Sequence, residues 1–187
     1  VSFETLSLEP FFTTLGATDD AHRQMGRLNA WGNSFPAEEL PFGATLKVGD
    51  VSFCLPDKTS ESLDMVEPLG QTIQLSTDRP VAALALLCCG EMGDQLVELR
   101  AVPADGGPTL EILARVPGFA VVPSEEPEPG SHRFTHLHYP GDYDLGLLTG
   151  ALFCTRHELE RPTRLARLEL GTNPLVHIAA LTLIHPD

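Results

Sequence analysis

Hydrophobic and polar residues alternate with a period of two along much of this chain, the pattern of half-buried strands. In ATLKVGDVSFCLP, Leu46 and Val48 alternate with polar neighbours, Gly49-Asp50 supplies a turn, and Val51, Phe53 and Leu55 resume the pattern. That stretch reads as a hairpin. QTIQLS places Ile73 and Leu75 on one face. QLVELRAV sets Val97, Leu99 and Ala101 opposite Glu98 and Arg100, and TLEILARV groups Leu110, Ile112, Ala114 and Val116. PADGGP between them is a turn. GLLTGALFCTRHEL and LVHIAALTLI read as further strands, and RLARLELG turns Ala166, Leu168 and Leu170 inward. PVAALALLCCG, Pro80 to Gly90, is apolar on both faces. A central strand covered on both sides has that composition, and its length also suits a short helix. Helix is expected at most as a turn over Gln24 to Leu28.

Eight or nine strands joined by turns follow from this pattern, and the 16 Pro and 16 Gly agree with it. At 187 residues and 42% hydrophobic content the chain suits one domain with its own core. The expected fold is all-β, a single sandwich of jelly-roll type spanning 1–187. PSEEPEPGS, Pro123 to Ser131, is acidic and Pro-rich and is expected as an exposed loop.

Charge narrows the partners. A formal net charge of -14 repels phosphate backbones and anionic lipid, which weighs against nucleic acid and membrane. It leaves neutral or cationic ligands and divalent ions. Cys54, Cys88, Cys89 and Cys154 sit in apolar runs without CxxC spacing and read as free thiols, which favours the cytoplasm over a secreted location.

Two stretches carry a family resemblance: Phe11 to Gly43, FFTTLGATDDAHRQMGRLNAWGNSFPAEELPFG, and Phe153 to Leu183, which closes with NPLVHIAALTL. With Gly70-Gln71-Thr72-Ile73 between them, they resemble the galactose-binding-like β-sandwich modules attached to bacterial glycoside hydrolases. Those modules carry an early "N-x-G-I-T-x-D" stretch, an "S-x-P-A-E-x-L" stretch, a "G-Q-T-I" strand and a closing "x-N-P-x-x-H-I-x-A-L-T-L". Here Thr13-Thr14 stand where an Asn pair is usual, and Ala17 where an Ile is. The resemblance implies a noncatalytic binding module, and for a module of secreted enzymes it implies secretion.

Candidate chemistry gathers in a few places. Trp31, the sole Trp, sits in NAWGNSF beside Asn33, where an exposed indole would stack on a sugar and amides would bond its hydroxyls. The alternative is a Trp that covers one end of the sandwich. Asp19 and Asp20 could hold a structural Ca2+ with backbone carbonyls, or form a solvated turn. Glu38 and Glu39 read as carboxylates near the start of a short turn capped by Asn33 or Ser34, and less readily as an acid/base pair.

In GSHRFTHLHYPGDYD, Gly130, His136, His138 and Asp142 resemble the first half of a cupin motif, G-x5-H-x-H-x3-E. On a strand, His136 and His138 share a face, so with Asp142 they could hold Fe2+, Mn2+ or Zn2+. Pro140-Gly141 should turn the chain before Asp142, and the second cupin motif is not recognisable, though His177 could serve in principle as a further ligand. Without metal, the stretch is a polar, aromatic rim. There is no GxSxG, P-loop or GxGxxG, and Cys154 and His157 fall on opposite faces of their strand.

The leading expectation is noncatalytic binding of a carbohydrate or similar polyhydroxylated ligand through loops at one end, using Trp31, Asn33, His138, Tyr139 and Asp142. The alternatives are a small cupin-type metal enzyme using His136, His138 and Asp142, and an interaction domain that pairs with itself or with a catalytic partner.

Overall fold

A computed structural model of the chain describes residues 1–75, 77–123, 126, 128–141 and 148–187. Among these residues the strands are β1 (Ser2–Leu6), β2 (Ala17–Thr18), β3 (Phe35–Pro36), β4 (Thr45–Val48), β5 (Val51–Cys54), β6 (Thr72–Gln74) and β7 (Val81–Gly90). Then follow β8 (Gln95–Pro103), β9 (Leu110–Val116), β10 (Ala120–Val121), β11 (Ser131–Arg133), β12 (Thr149–Thr163), β13 (Leu165–Leu170) and β14 (Val176–His185). Three short 3-10 turns are the only helical elements described, and no helix is long and apolar enough to cross a membrane. The segments Pro123 to Ser131 and Gly130 to Asp144 each run partly through residues outside the described set, Asp142 among them.

Two antiparallel sheets form the sandwich. One has the order β1-β14-β7-β12, with β10 and β11 sharing the far edge of β12. The other has the order β6-β13-β8-β9. Between them lies one core, with Leu84, Leu86, Cys88, Ile178, Leu181 and Leu183 from the first sheet against Val97, Leu99, Ala101, Ala114, Val116 and Leu168 from the second. The alternation in β8 and β9 is therefore the alternation of sheets with one face in the core.

The run Pro80 to Gly90 forms β7, at the centre of the larger sheet, and not a helix. Its other face supplies Ala83, Ala85, Leu87 and Cys89 to a second core. Phe35, Val48, Val51, Phe53, Leu28, Phe134 and Leu137 cover that side. The centre of the larger sheet is thus buried on both faces, which is why β7 is apolar throughout and β14 carries only His177, Thr182 and His185 as polar residues. The β4–β5 hairpin pairs Val48 with Val51 across Gly49, whose φ of 62° the tight turn requires.

Bulges shift the inward residues in two strands. In β13 the register slips between Leu165 and Arg167, so Leu165 is buried and Ala166 is only partly covered, contrary to the expected Ala166, Leu168 and Leu170 series. In β14 an extra residue at Ala179 moves the sandwich-facing set from Val176 and Ile178 to Leu181 and Leu183. The early helical turn also sits elsewhere: it is a 3-10 segment, Asp20–Met25, and not Gln24 to Leu28.

The layer on the second core positions the candidate sites. β2 and β3 pair in parallel, and Ser34, just before β3, makes an antiparallel bridge to His138. The buried Asp64 carboxylate ties this layer down by accepting from the Gly16 and Ala17 amides, at 2.7 and 3.1 Å, and by pairing with Lys58 Nζ at 2.7 Å.

Candidate functional site

Residues 136–139 run as an extended segment between two different environments. His138 exchanges backbone hydrogen bonds with Ser34, at 2.9 and 3.2 Å, which fixes the pleat. Side chains then alternate. His136 and His138 face the turns that follow β2 and β3, whereas Leu137 and Tyr139 face a cavity under Trp31.

On the histidine side, three segments converge. The His136 and His138 rings lie 5.1 Å apart. His138 is fully buried. Its Nδ1 lies 3.1 Å from Thr18 Oγ1, which in turn lies 2.6 Å from Ser34 Oγ. Its Nε2 points at Asp20 Oδ1, 3.3 Å away, and Glu38 Oε1, 3.9 Å away. His136 Nδ1 contacts Thr135 Oγ1 at 2.8 Å and Glu39 Oε1 at 3.4 Å. Burial pushes the His138 imidazole down in pKa, and the nearby Arg23 guanidinium adds to that, against smaller opposing pulls from Glu38 and Asp20. The His138 ring is therefore biased to its neutral form, with a lone pair to offer.

On the other side, Trp31, Asn33, Asn29, Phe119, Leu137, Tyr139 and Leu148 surround a cavity of about 300 Å3. Trp31 is 68% exposed and stands at its rim. Asn29 builds the turn that presents it: its Oδ1 accepts from the Trp31 and Asn33 amides at 3.1 and 3.0 Å, and its Nδ2 donates to Asn33 Oδ1 at 2.9 Å. Asn33 Nδ2 donates to the His138 carbonyl at 3.2 Å. The Asn33 amide is thus committed to holding the two segments together.

The structure brings Trp31, Asn33 and Tyr139 to one cavity and places His138 behind it. His138 is no rim residue, because the Ser34 bridge turns its ring inward. Asp142 lies outside the described residues. Asp19 and Asp20 point at different partners: Asp19 Oδ1 bonds His22 Nδ1 at 2.7 Å, and Asp20 Oδ1 takes Arg23 Nη2 at 2.5 Å, which holds the Asp20 carboxyl below its usual range. Glu38 and Glu39 sit in the 3-10 turn Ala37–Glu39, without a side-chain cap, since the Ser34 hydroxyl and the Asn33 amide are engaged elsewhere. Glu38 reaches towards His138, and Glu39 accepts from the Thr135 amide at 2.9 Å.

His177 stands apart from His136 and His138, on β14 opposite Cys89. The residues that sequence reasoning missed are Thr18 behind His138 and the apolar cavity walls Phe119, Leu137 and Leu148. The alternation of Leu137 and Tyr139 with the two histidines was the available signal.

A family model described as an AziU2-like beta-sandwich domain matches residues 4–123, more than half of the chain. The chain belongs to the AziU2-like β-sandwich family. No curated protein matches it. The AziU2-like match takes in Trp31, Asn33, Asp20 and Glu38 and ends before β11, so His136, His138 and Tyr139 reach both sites from beyond it. All-β sheets that share one core agree with the sandwich the family description names.

Proposed function

We propose that this AziU2-like sandwich is a noncatalytic binding module whose cavity under Trp31 takes a carbohydrate or a similar polyhydroxylated ligand with an apolar face. The observation that carries this reading is the meeting of an exposed indole and Tyr139 at one cavity of about 300 Å3, within the size range of small-ligand sites. Aromatic faces stack on the C–H faces of sugar rings, and both Trp31 and Tyr139 line the cavity. The resemblance of Phe11 to Gly43 and of Phe153 to Leu183 to galactose-binding-like modules supports the same class of ligand.

Calorimetric titration with a panel of mono- and oligosaccharides tests the reading. At least one member is expected to bind, with Trp31→Ala weakening it by about tenfold or more, equivalent to ~1.4 kcal/mol. Tyr139→Ala should weaken it as well. Binding that survives both substitutions would place the ligand elsewhere.

A second reading rests on the cavity walls. Phe119, Ala120, Leu137 and Leu148 are apolar, and Leu148 is exposed beside Trp31, which also suits an apolar side chain of a protein partner. That reading expects a mass that rises with protein concentration, or with added partner, and no heat from any sugar.

A further inference from the structure

The histidine side of the 136–139 segment has an organisation that the ligand cavity does not use. Ligand atoms of Glu38, His136 and His138 all lie within 4.8 Å of one another. We propose that these three side chains bind one divalent transition-metal ion, with His138 Nε2 as its innermost ligand atom. The inference is independent of the Trp31 cavity and of what that cavity binds.

Four observations converge. First, the donor set is two imidazoles and one carboxylate, which suits zinc, iron or manganese and not calcium. Second, His138 is fully buried, yet its Nε2 has no hydrogen-bond partner. A buried polar atom left in that state is costly, and this one is aimed at Glu38 and Asp20. A metal ion would satisfy it.

Third, the other nitrogen of each ring is already held. Nδ1 of His138 meets Thr18 Oγ1, itself fixed by Ser34, and Nδ1 of His136 meets Thr135 and Glu39. Outer partners on Nδ1 leave Nε2 for the metal and fix the ring orientation, as second-shell groups do at metal sites. Fourth, the nearby Arg23 guanidinium is already matched: it is bonded to Asp20 through both Nε and Nη2, at 3.1 and 2.5 Å. Its charge is opposed where it stands.

Three protein ligands leave at least one coordination position open. Glu38 also lines a cleft of about 390 Å3 with Asp19, Phe42 and Lys58, so an exchangeable ligand has room to approach from that side. The sequence motif pointed to His136 and His138 with Asp142. The geometry supplies a carboxylate from a different segment, Glu38, and the proposal needs no other.

Zn2+ added to the chelator-treated full chain, in competition with a chromophoric chelator, tests the site. One Zn2+ per chain is expected. Glu38→Gln and His136→Ala lie at the surface end of the cluster and should leave folding intact, shown by an unchanged circular dichroism spectrum. Each should weaken Zn2+ by at least the ~10- to 100-fold that loss of an outer-shell partner alone costs. Thr18→Val should weaken it by a smaller factor, and Trp31→Ala should not change it. Failure to take up one Zn2+, or uptake unchanged in both Glu38→Gln and His136→Ala, would overturn the proposal. His138→Ala is not used to decide it, since a buried side chain can fail for reasons of packing.

Discussion

A tryptophan at a protein surface can be loose or presented, and Trp31 is presented. Its amide is bonded to Asn29 Oδ1, and the same oxygen holds the Asn33 amide, so the turn that carries the indole is tied from within. His177 shows the opposite condition. It is buried, and neither ring nitrogen completes a hydrogen bond in standard geometry. Burial pushes its pKa down from the ordinary 6.5, against smaller upward pulls from Glu67, Glu91 and the Leu28 backbone. The sign follows by linkage. Below about pH 6.5 the unfolded chain takes up a proton that the folded chain resists, so stability falls as the pH drops from there towards the folded-state value, and no cost is present above it. Urea midpoints measured between about pH 7.5 and 5.5 should fall on acidification, and less so in His177→Leu. His132, His138 and His157 are lowered by burial too, so part of the slope should remain. An identical slope in His177→Leu would remove His177 from the account.

At the scale of elements, one ring stack seats the site-bearing layer on the larger sheet, and one ion pair braces the layer from within. Phe35 stacks on Phe134 with ring centroids 4.3 Å apart; the Phe35 ring lies against Gly150 of β12, and the Phe134 amide donates to the Gly150 carbonyl at 2.9 Å. A Cβ at Gly150 would stand 2.4 Å from Phe35 Cε1 and 2.9 Å from Leu137 Cδ2. Gly150→Ala should therefore destabilise the fold by about 1–3 kcal/mol through overpacking, read from chemical unfolding. Lys58 makes that ion pair, with the buried Asp64 that holds Gly16 and Ala17. Lys58→Met strands that carboxylate, with an expected loss of about 3–5 kcal/mol. A loss below about 1 kcal/mol would mean that the two backbone amides alone sustain it.

The elements themselves were largely legible. Alternation located β4, β5, β8 and β9 with the right residues inward, because each has one face in a core and one outside it. The bulges at Ala166 and Ala179 were not legible, since a local slip in pairing leaves no mark in a period-two pattern. The 3-10 turn at Asp20–Met25 was misplaced because it is held by local carboxylate contacts and not by an apolar stripe.

Over the whole molecule, three layers explain where function can sit. The sheet of β6, β13, β8 and β9 covers one face of the central sheet, and the turns around β2 to β5 cover the other. Both candidate sites lie in the second of these covers, back to back across one extended segment. Parity told which of residues 136–139 share a face. It could not tell which distant turns would meet each face: Glu38 and Thr18 come to the histidines, and Trp31 and Phe119 to Tyr139, only through the tertiary packing of this layer. The net charge of -14 suits a site for a cation on one face and a neutral ligand on the other, and disfavours anionic ligands on either.

Trp31 is the sole tryptophan, so the intrinsic emission of the native protein reports on the cavity without a label. Titration of that emission with the sugar panel, in the native chain and in Tyr139→Ala, is the most direct measurement. The account predicts a saturable change with at least one sugar, strongly reduced in Tyr139→Ala and retained in Glu38→Gln. A tryptophan signal that no member of the panel moves, while the same sugars bind by calorimetry or none binds at all, would contradict it.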